Sequence, residues 1–288
     1  MNDRGQIAQA LSAAGYIADA ELATAISLMQ LLRRPLLLEG EAGVGKTEVA
    51  KALAALHATE LIRLQCYEGL DQSAALYEWN YQRQLLAIQA HRGENAGTIE
   101  DQIFSEKYLL ERPLLAAIRR ATPPVLLIDE IDRADDEFEA FLFELLAESA
   151  VTIPELGTRR ATVPPVVVLT SNRTRDLHDA LKRRCLYHWI GYPDPGRVAD
   201  IIRRRVPGAS GRLAGQVADS VRRLRGLDLT KPPGIAEAVN WATALGVFGE
   251  TELSAAAAER TLSTVLKYAE DEEAVHQAGL ATLLVPRD

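Results

Sequence analysis

The most chemically specific stretch of the 288-residue chain is GEAGVGKT, residues 40–47. It fits GxxxxGK[ST], with an apolar run directly before it and a helical pattern directly after. Glycines in such a loop let backbone N–H groups wrap an anion at a helix N-terminus, where the peptide dipoles also favour negative charge. Gly40, Glu41, Ala42, Gly43, Val44 and Gly45 would form the cradle, Lys46 would reach the β- and γ-phosphates of ATP, and Thr47 would ligate Mg2+. A second stretch, VLLIDE (125–130), carries Asp129 and Glu130 at the carboxyl end of an apolar strand, the edge where open α/β sheets bind ligands. Asp129 would hold the Mg2+ through water, and Glu130 would polarise an attacking water. A third, VVVLTSN (166–172), ends in Thr170, Ser171 and Asn172, and Asn172 could bond the γ-phosphate or orient the water. Alone, an acidic pair after a strand starts a helix and an asparagine there is a turn or cap residue. The three stretches together favour chemistry.

The elements that must position these residues are legible as short apolar runs. PLLLEG (35–40), LIRLQC (61–66), VLLID (125–129), VVVLTS (166–171) and CLYHWI (185–190) read as five strands, the last buried on both faces. Residues 1–34 read as helical, with Leu22, Ile26 and Met29 at helical spacing, and a further helix follows the phosphate loop. From about Asp135, Phe138, Phe141, Leu142, Leu145 and Leu146 mark the apolar stripe of another helix. Continuous apolar strands alternating with helices predict an α/β fold with a parallel sheet covered on both faces. Two segments interrupt the alternation. Residues 76–115 are too long for a plain crossover helix, and VTIPELGTRRATVP (151–164) reads as a hairpin around Leu156, Gly157 and Thr158. Strand signals stop after GYPDPG (191–196), which places a boundary near Tyr192 between a core (1–192) and a small all-helical domain (193–288).

Composition narrows the class. The chain is 48% hydrophobic and 25% charged, with a formal net charge of -8, and its acidity gives no sign of a nucleic-acid footprint. Cys66 and Cys185 lie in apolar segments and suggest neither a disulfide framework nor a metal site. The N-terminal MNDRGQIAQAL lacks the apolar core of a signal peptide, and no stretch approaches the roughly 18 apolar residues of a membrane span. The expectation is a soluble cytoplasmic protein.

Taken with the paired arginines Arg183 and Arg184 and the helical C-terminal part, the phosphate loop, LLIDE and TSN resemble the AAA+ ATPases. The insert at 76–115 and the hairpin before the Asn172 strand are similar to those of the MoxR group, as helix-2 insert and pre-sensor-1 hairpin. LQCYEGLD (64–71), ALYEWNYQRQLLA (75–87), ALKRRCLYHWI (180–190) and KPPGIAEAVNWA (231–242) resemble its CoxD-like branch. The resemblance implies a P-loop NTPase αβα sandwich with five parallel core strands and a helical lid. It also implies a homo-oligomer, commonly a hexameric ring with nucleotide at subunit interfaces, and a chaperone activity on a client enzyme. The implied partner is a von Willebrand factor A domain protein, and the clients of this branch are molybdenum hydroxylase-type enzymes awaiting metal insertion. Arg184 aligns with the family's arginine finger, supplied in trans to the transferring phosphoryl group. LKRR also suits a helix C-terminus, where cations meet the negative dipole end.

One departure from the family pattern stands out. The sensor 2 position reads TKPPGIAEA, with Lys231 the nearest cation and Gly234 in the expected place. Other features carry plainer readings. His188 reads as a core histidine, and His57, His91, His178 and His276 share no ligand spacing. Trp79 and Tyr81 read as core or as partner surface, and RRR (203–205) and RRLR (222–225) as solvated helix faces or as contacts to a neighbouring subunit. Three rivals to the ATP-driven chaperone remain: a nucleic-acid motor, a P-loop kinase for a small metabolite, and a binding-only scaffold.

Overall fold

A computed structural model describes residues 4–90 and 102–280. His91 and residues 91–101 of the long insert lie outside them. The chain divides into two compact units, Met1–Gly40 with Lys46–Trp189, and Glu41–Gly45 with Ile190–Asp288.

The first unit is built on five strands, β1 (Leu36–Glu39), β2 (Leu61–Gln65), β5 (Val125–Asp129), β8 (Val166–Ser171) and β9 (Leu186–Trp189). They pair in the order β2-β5-β8-β1-β9, all parallel. β1 and β5 are buried along their whole length, as their apolar runs require, and the burial extends to the acids Glu39 and Asp129 that end them. β1 lies between β8 and β9, with Glu39 opposite Ser171 on one side and Trp189 on the other. The expected α/β class with a five-stranded parallel sheet is therefore what forms.

β9 corrects an expectation. It is an edge strand with one open face, so Tyr187 is 55% and Trp189 41% exposed. A strand with one covered face can still carry an apolar run, because large amphipathic aromatics tolerate the open side. His188 is half-buried rather than a core histidine. β2 is the opposite edge, and its alternation leaves Arg63 and Gln65 exposed while Ile62 and Leu64 face the core.

The N-terminal helical segment is two helices, α1 (Arg4–Ala13) and α2 (Ala20–Leu32). Gly15 at φ 88° breaks it, and the Asp19 side chain restarts it by accepting from the Leu22 N–H at 2.7 Å. Helix α3 (Lys46–Leu56) follows the phosphate loop. The long insert contains α4 (Gln72–Ala75), α5 (Tyr81–Ala90) and a two-stranded antiparallel sheet of β3 (Tyr77–Trp79) and β4 (Leu109–Glu111). That small sheet gave no sequence signal, since each strand is three residues long. Trp79 is buried, with the Phe104 ring edge-on at 5.3 Å, whereas Tyr81 is exposed. After α6 (Pro113–Arg119) and β5 comes α7 (Asp136–Glu148), then the hairpin of β6 (Ala150–Ile153) and β7 (Gly157–Arg160). A short α8 (Asp179–Lys182) leads into β9.

The second unit holds α9 (Pro195–Arg205), α10 (Gly211–Leu224), α11 (Ile235–Val247), α12 (Ala255–Thr261) and α13 (Ala269–Ala278). Asp194, Ser210 and Ser254 cap the first, second and fourth of these by accepting from backbone N–H groups. Their apolar stripes meet in a core around Trp241, whose indole N–H donates to Thr261 Oγ1 at 2.7 Å. Among the described residues no helix is long and apolar enough to cross a membrane.

Candidate functional site

Strand β1 delivers the chain to the phosphate loop, and α3 begins at Lys46. The loop needs positive φ at Gly43 (78°) and Gly45 (94°), which glycine adopts at little cost. Lys46 is buried, and its ammonium donates to Gly40 O at 2.6 Å. Thr47 Oγ1 lies 3.2 and 3.3 Å from the two Asp129 carboxylate oxygens. These contacts join the first turn of α3 to the tip of β5.

Asp129 is heavily engaged. Its Oδ1 accepts from Thr170 Oγ1 at 2.5 Å, and the same hydroxyl accepts from the Glu130 N–H at 2.9 Å. Its Oδ2 accepts from Arg63 Nε at 2.9 Å and Nη2 at 2.6 Å. A buried carboxylate needs such compensation. Glu130 itself holds a left-handed backbone, φ 55° and ψ 50°, unusual for a residue with a side chain. Its carboxylate takes Gln65 Nε2 at 3.1 Å, pairs with Arg133 at 3.0 Å and takes Asn172 Nδ2 at 3.4 Å.

Asn172 reaches Glu130 because its loop is anchored from beneath. The buried Asp132 carboxylate accepts from the Asn172 N–H at 3.2 Å, the Thr174 N–H at 2.9 Å and Thr174 Oγ1 at 2.7 Å. Further along, Arg175 pairs with the fully buried Glu139 of α7 at 2.5 Å, and Glu139 also accepts from the His178 N–H at 3.0 Å. The first turn of α3 and the tips of β5 and β8 therefore carry Thr47, Asp129, Glu130 and Asn172 in one connected set. Next to them the Cys66 thiol is pushed up to about 12, by burial first and then by the charges of Asp129, Asp132 and Glu130. It stays a protonated, unreactive group at neutral pH.

The sequence profile of the AAA domain (dynein-related subfamily) matches residues 35–185, more than half the chain. The chain belongs to this AAA domain family. The match runs from β1 through the phosphate loop and both acidic tips to the start of β9, so it spans the whole connected set. The fold agrees. A proline-to-glycine mutant of RuvB from Thermotoga maritima superimposes with a TM-score of 0.50 at 15% identity, covering 91% of this chain and 70% of that one. An alanine-to-serine mutant of the same protein gives 0.48 at 16% identity, with 91% and 70% covered. A search of curated protein sequences finds no match. Membership in the AAA family implies a nucleotide-binding, nucleotide-hydrolysing domain of a kind that typically oligomerises.

In the second unit of this AAA protein the phosphate-loop tip meets α11. The Ile235 N–H donates to Gly43 O at 2.8 Å. A Cβ on Gly234 would stand 2.8 Å from both Gly43 Cα and Gly43 O, closer than any real side chain comes. Gly234, the residue at the expected sensor 2 place, thus lets two backbones touch, and its own N–H donates to Glu237 Oε2 at 2.9 Å. Lys231 is exposed, and its backbone N–H is held by Asp271 at 3.1 Å.

Arg184 sits apart from the carboxylates in the bonds it makes. Its guanidinium lies over the Phe143 ring of α7, 4.6 Å from the centroid, and Nη1 donates to Ala180 O at 2.9 Å. Arg183 is exposed and closes α8, its N–H donating to Asp179 O at 2.9 Å.

The sequence reading missed Arg63, Gln65 and Asp132 as members of the set, and singled out Asn172 rather than Thr170 at the tip of β8. The alternation of LIRLQ placed Arg63 and Gln65 on one face of β2, and Gln65 stands opposite Asp129 in register. Strand order was the missing knowledge: once β2 is beside β5, those two polar side chains must meet the acidic tip.

Proposed function

We propose that this protein hydrolyses ATP with Mg2+ at the interface between subunits of a homo-oligomer, and uses the cycle for chaperone-like remodelling or maturation of a partner protein. The observation that carries the reading is the connected set at the first turn of α3 and the tips of β5 and β8: Thr47 against both Asp129 oxygens, Glu130 beside it, and the Asn172 amide on Glu130. Thr47 Oγ1 and the Asp129 carboxylate are hard oxygen donors and fit Mg2+. Those two groups would hold the metal, whose charge would offset that of the phosphates. Gly40, Glu41, Ala42, Gly43, Val44 and Gly45 cradle the phosphates, and Lys46 reaches the terminal ones, leaving Gly40 O to do so. Glu130 takes the proton of the attacking water, which Asn172 orients. Arg184 enters the neighbouring subunit's site and stabilises charge on the transferring phosphoryl group.

The finer assignment follows the MoxR-group resemblance of the insert, the hairpin and KPPGIAEAVNWA. On that reading the protein works in a hexameric ring in the cytoplasm. It acts with a von Willebrand factor A domain partner on a molybdenum hydroxylase-type client awaiting metal insertion. RuvB is described as a Holliday junction branch migration motor, but the net charge of -8 speaks against nucleic acid as the partner here.

The test is a tagged Glu130→Gln variant, expected to bind ATP without turning it over and to retain the partner on purification. Absence of ATPase activity in the wild type at every protein concentration, with no partner retained, would refute the remodelling function. Stimulation of turnover by nucleic acid would revive the motor reading, and phosphoryl transfer to a metabolite in place of phosphate release would point to a kinase.

A further inference from the structure

Arg34 is a half-buried cation one residue before Pro35 and β1, and nothing in the phosphate-loop chemistry uses it. Its guanidinium is spread over three consecutive carbonyls of another segment. Nη2 donates to Arg183 O at 2.6 Å and to Cys185 O at 3.3 Å, and Nε donates to Arg184 O at 3.3 Å. These carbonyls lie just past the end of α8, where a helix leaves acceptors unpaired and its dipole is negative. A planar fork of donors suits that cluster, and a single ammonium would not span it.

The segment is gripped elsewhere too. The Leu186 N–H donates to Pro35 O at 2.7 Å, so the backbone after Arg184 is pinned to the residue following Arg34. Phe143 supports the Arg184 guanidinium from its face. Arg184 therefore has its backbone fixed by the start of β1 and its head group fixed by α7. The four-residue α8 offers little rigidity of its own.

We infer that Arg34 is the positioning residue for Arg184, holding the turn that presents the trans-acting arginine to the next subunit. The inference rests on the reading of Arg184 as that arginine. Arg34 touches neither nucleotide nor water; it acts through the carbonyls of residues 183–185. A misplacement of about 1 Å in such a group costs on the order of a hundred-fold in rate.

Arg34 belongs to the presenting side of an interface, while Glu130 belongs to the receiving side. Complementation separates the two. Arg34→Ala alone is expected to keep nucleotide affinity and assembly, measured with a fluorescent ATP analogue and by sedimentation, while turnover falls about a hundred-fold. Equimolar Arg34→Ala with Glu130→Gln should recover up to about a quarter of wild-type turnover, because one in four of all interfaces in a random mixture has both sides intact. Arg34→Ala with Arg184→Ala should recover nothing, since both lesions fall on the same side.

If Arg184→Ala recovers with Glu130→Gln but Arg34→Ala does not, the positioning role is wrong and the arginine in trans stands. If a co-assembled Arg184→Ala and Glu130→Gln mixture stays inactive, the arginine in trans is wrong and the positioning role falls with it. Should Arg34→Ala fail to assemble, Arg34→Lys keeps the stem and the charge without the fork. It is expected to show a smaller loss with the same complementation pattern. Full activity of Arg34→Ala, or of Arg34→Lys where it stands in, overturns the inference.

Discussion

At the residue scale, Asp132 is as consequential as the acids beside it. Asp129 and Glu130 are the acids proposed to face the chemistry, whereas Asp132 is turned under the Asn172 loop and receives three donors there. Its removal takes a charged acceptor from donors on half-buried Asn172 and exposed Thr174, and a hydrogen bond to a charged group contributes about 1.5–3 kcal/mol. Asp132→Ala is therefore expected to lose ~2 kcal/mol in urea unfolding, because the released donors on Asn172 and Thr174 can turn to water. Turnover should fall more than nucleotide affinity, since the groups released are Asn172 and its loop rather than the phosphate cradle. Equal losses in both would mean that Asp132 supports the fold alone. The sequence did not reveal this role, because the second aspartate of LLIDEID reads as an ordinary acidic residue near a helix start. Nothing local says that its partners lie forty residues on, at Asn172 and Thr174. Asp129 and Glu130, by contrast, announced themselves through their place at the end of a fully apolar strand.

At the element scale, the approach of α11 to the phosphate loop is set by two glycines. A methyl at 234 has backbone on its far side at 2.8 Å, so no rotamer relieves it and the loop or the helix must shift. Gly234→Ala is expected to weaken nucleotide binding by about ten-fold or more, because the cradle's N–H groups must point together at one anion. Fluorescence titration with an ATP analogue checks it, and unchanged affinity would mean that the loop tolerates the displacement. The strands were readable because their apolar runs are continuous, and β5 and β8 form with the predicted boundaries. What the runs could not convey was position within the sheet. CLYHWI looks the same whether both its faces are covered or one, and only the order β2-β5-β8-β1-β9 exposes Tyr187 and Trp189. The β3–β4 pair was invisible for a different reason: six residues, split by about thirty, hold together only through the packing of their neighbours.

At the scale of the whole molecule, the proposed site is incomplete in a single chain, because Arg184 bonds to its own α8 and α7. Specific ATPase activity should therefore fall on dilution, in step with the assembled fraction measured by sedimentation. Activity independent of concentration down to fully monomeric protein would require a site complete within one subunit.

The place of β1 in the sheet has a consequence in time. Residues 36–39 are made early, yet their two neighbours are residues 168–171 and 186–189. Until β8 and β9 have left the ribosome, β1 has no partner on either side, and pairings across such long loops are slow to close. The phosphate loop that β1 introduces is thus among the first parts of this AAA domain to be synthesised and among the last to be anchored. A chain truncated before residue 166 would carry every residue of GEAGVGKT and have neither neighbouring strand to hold it.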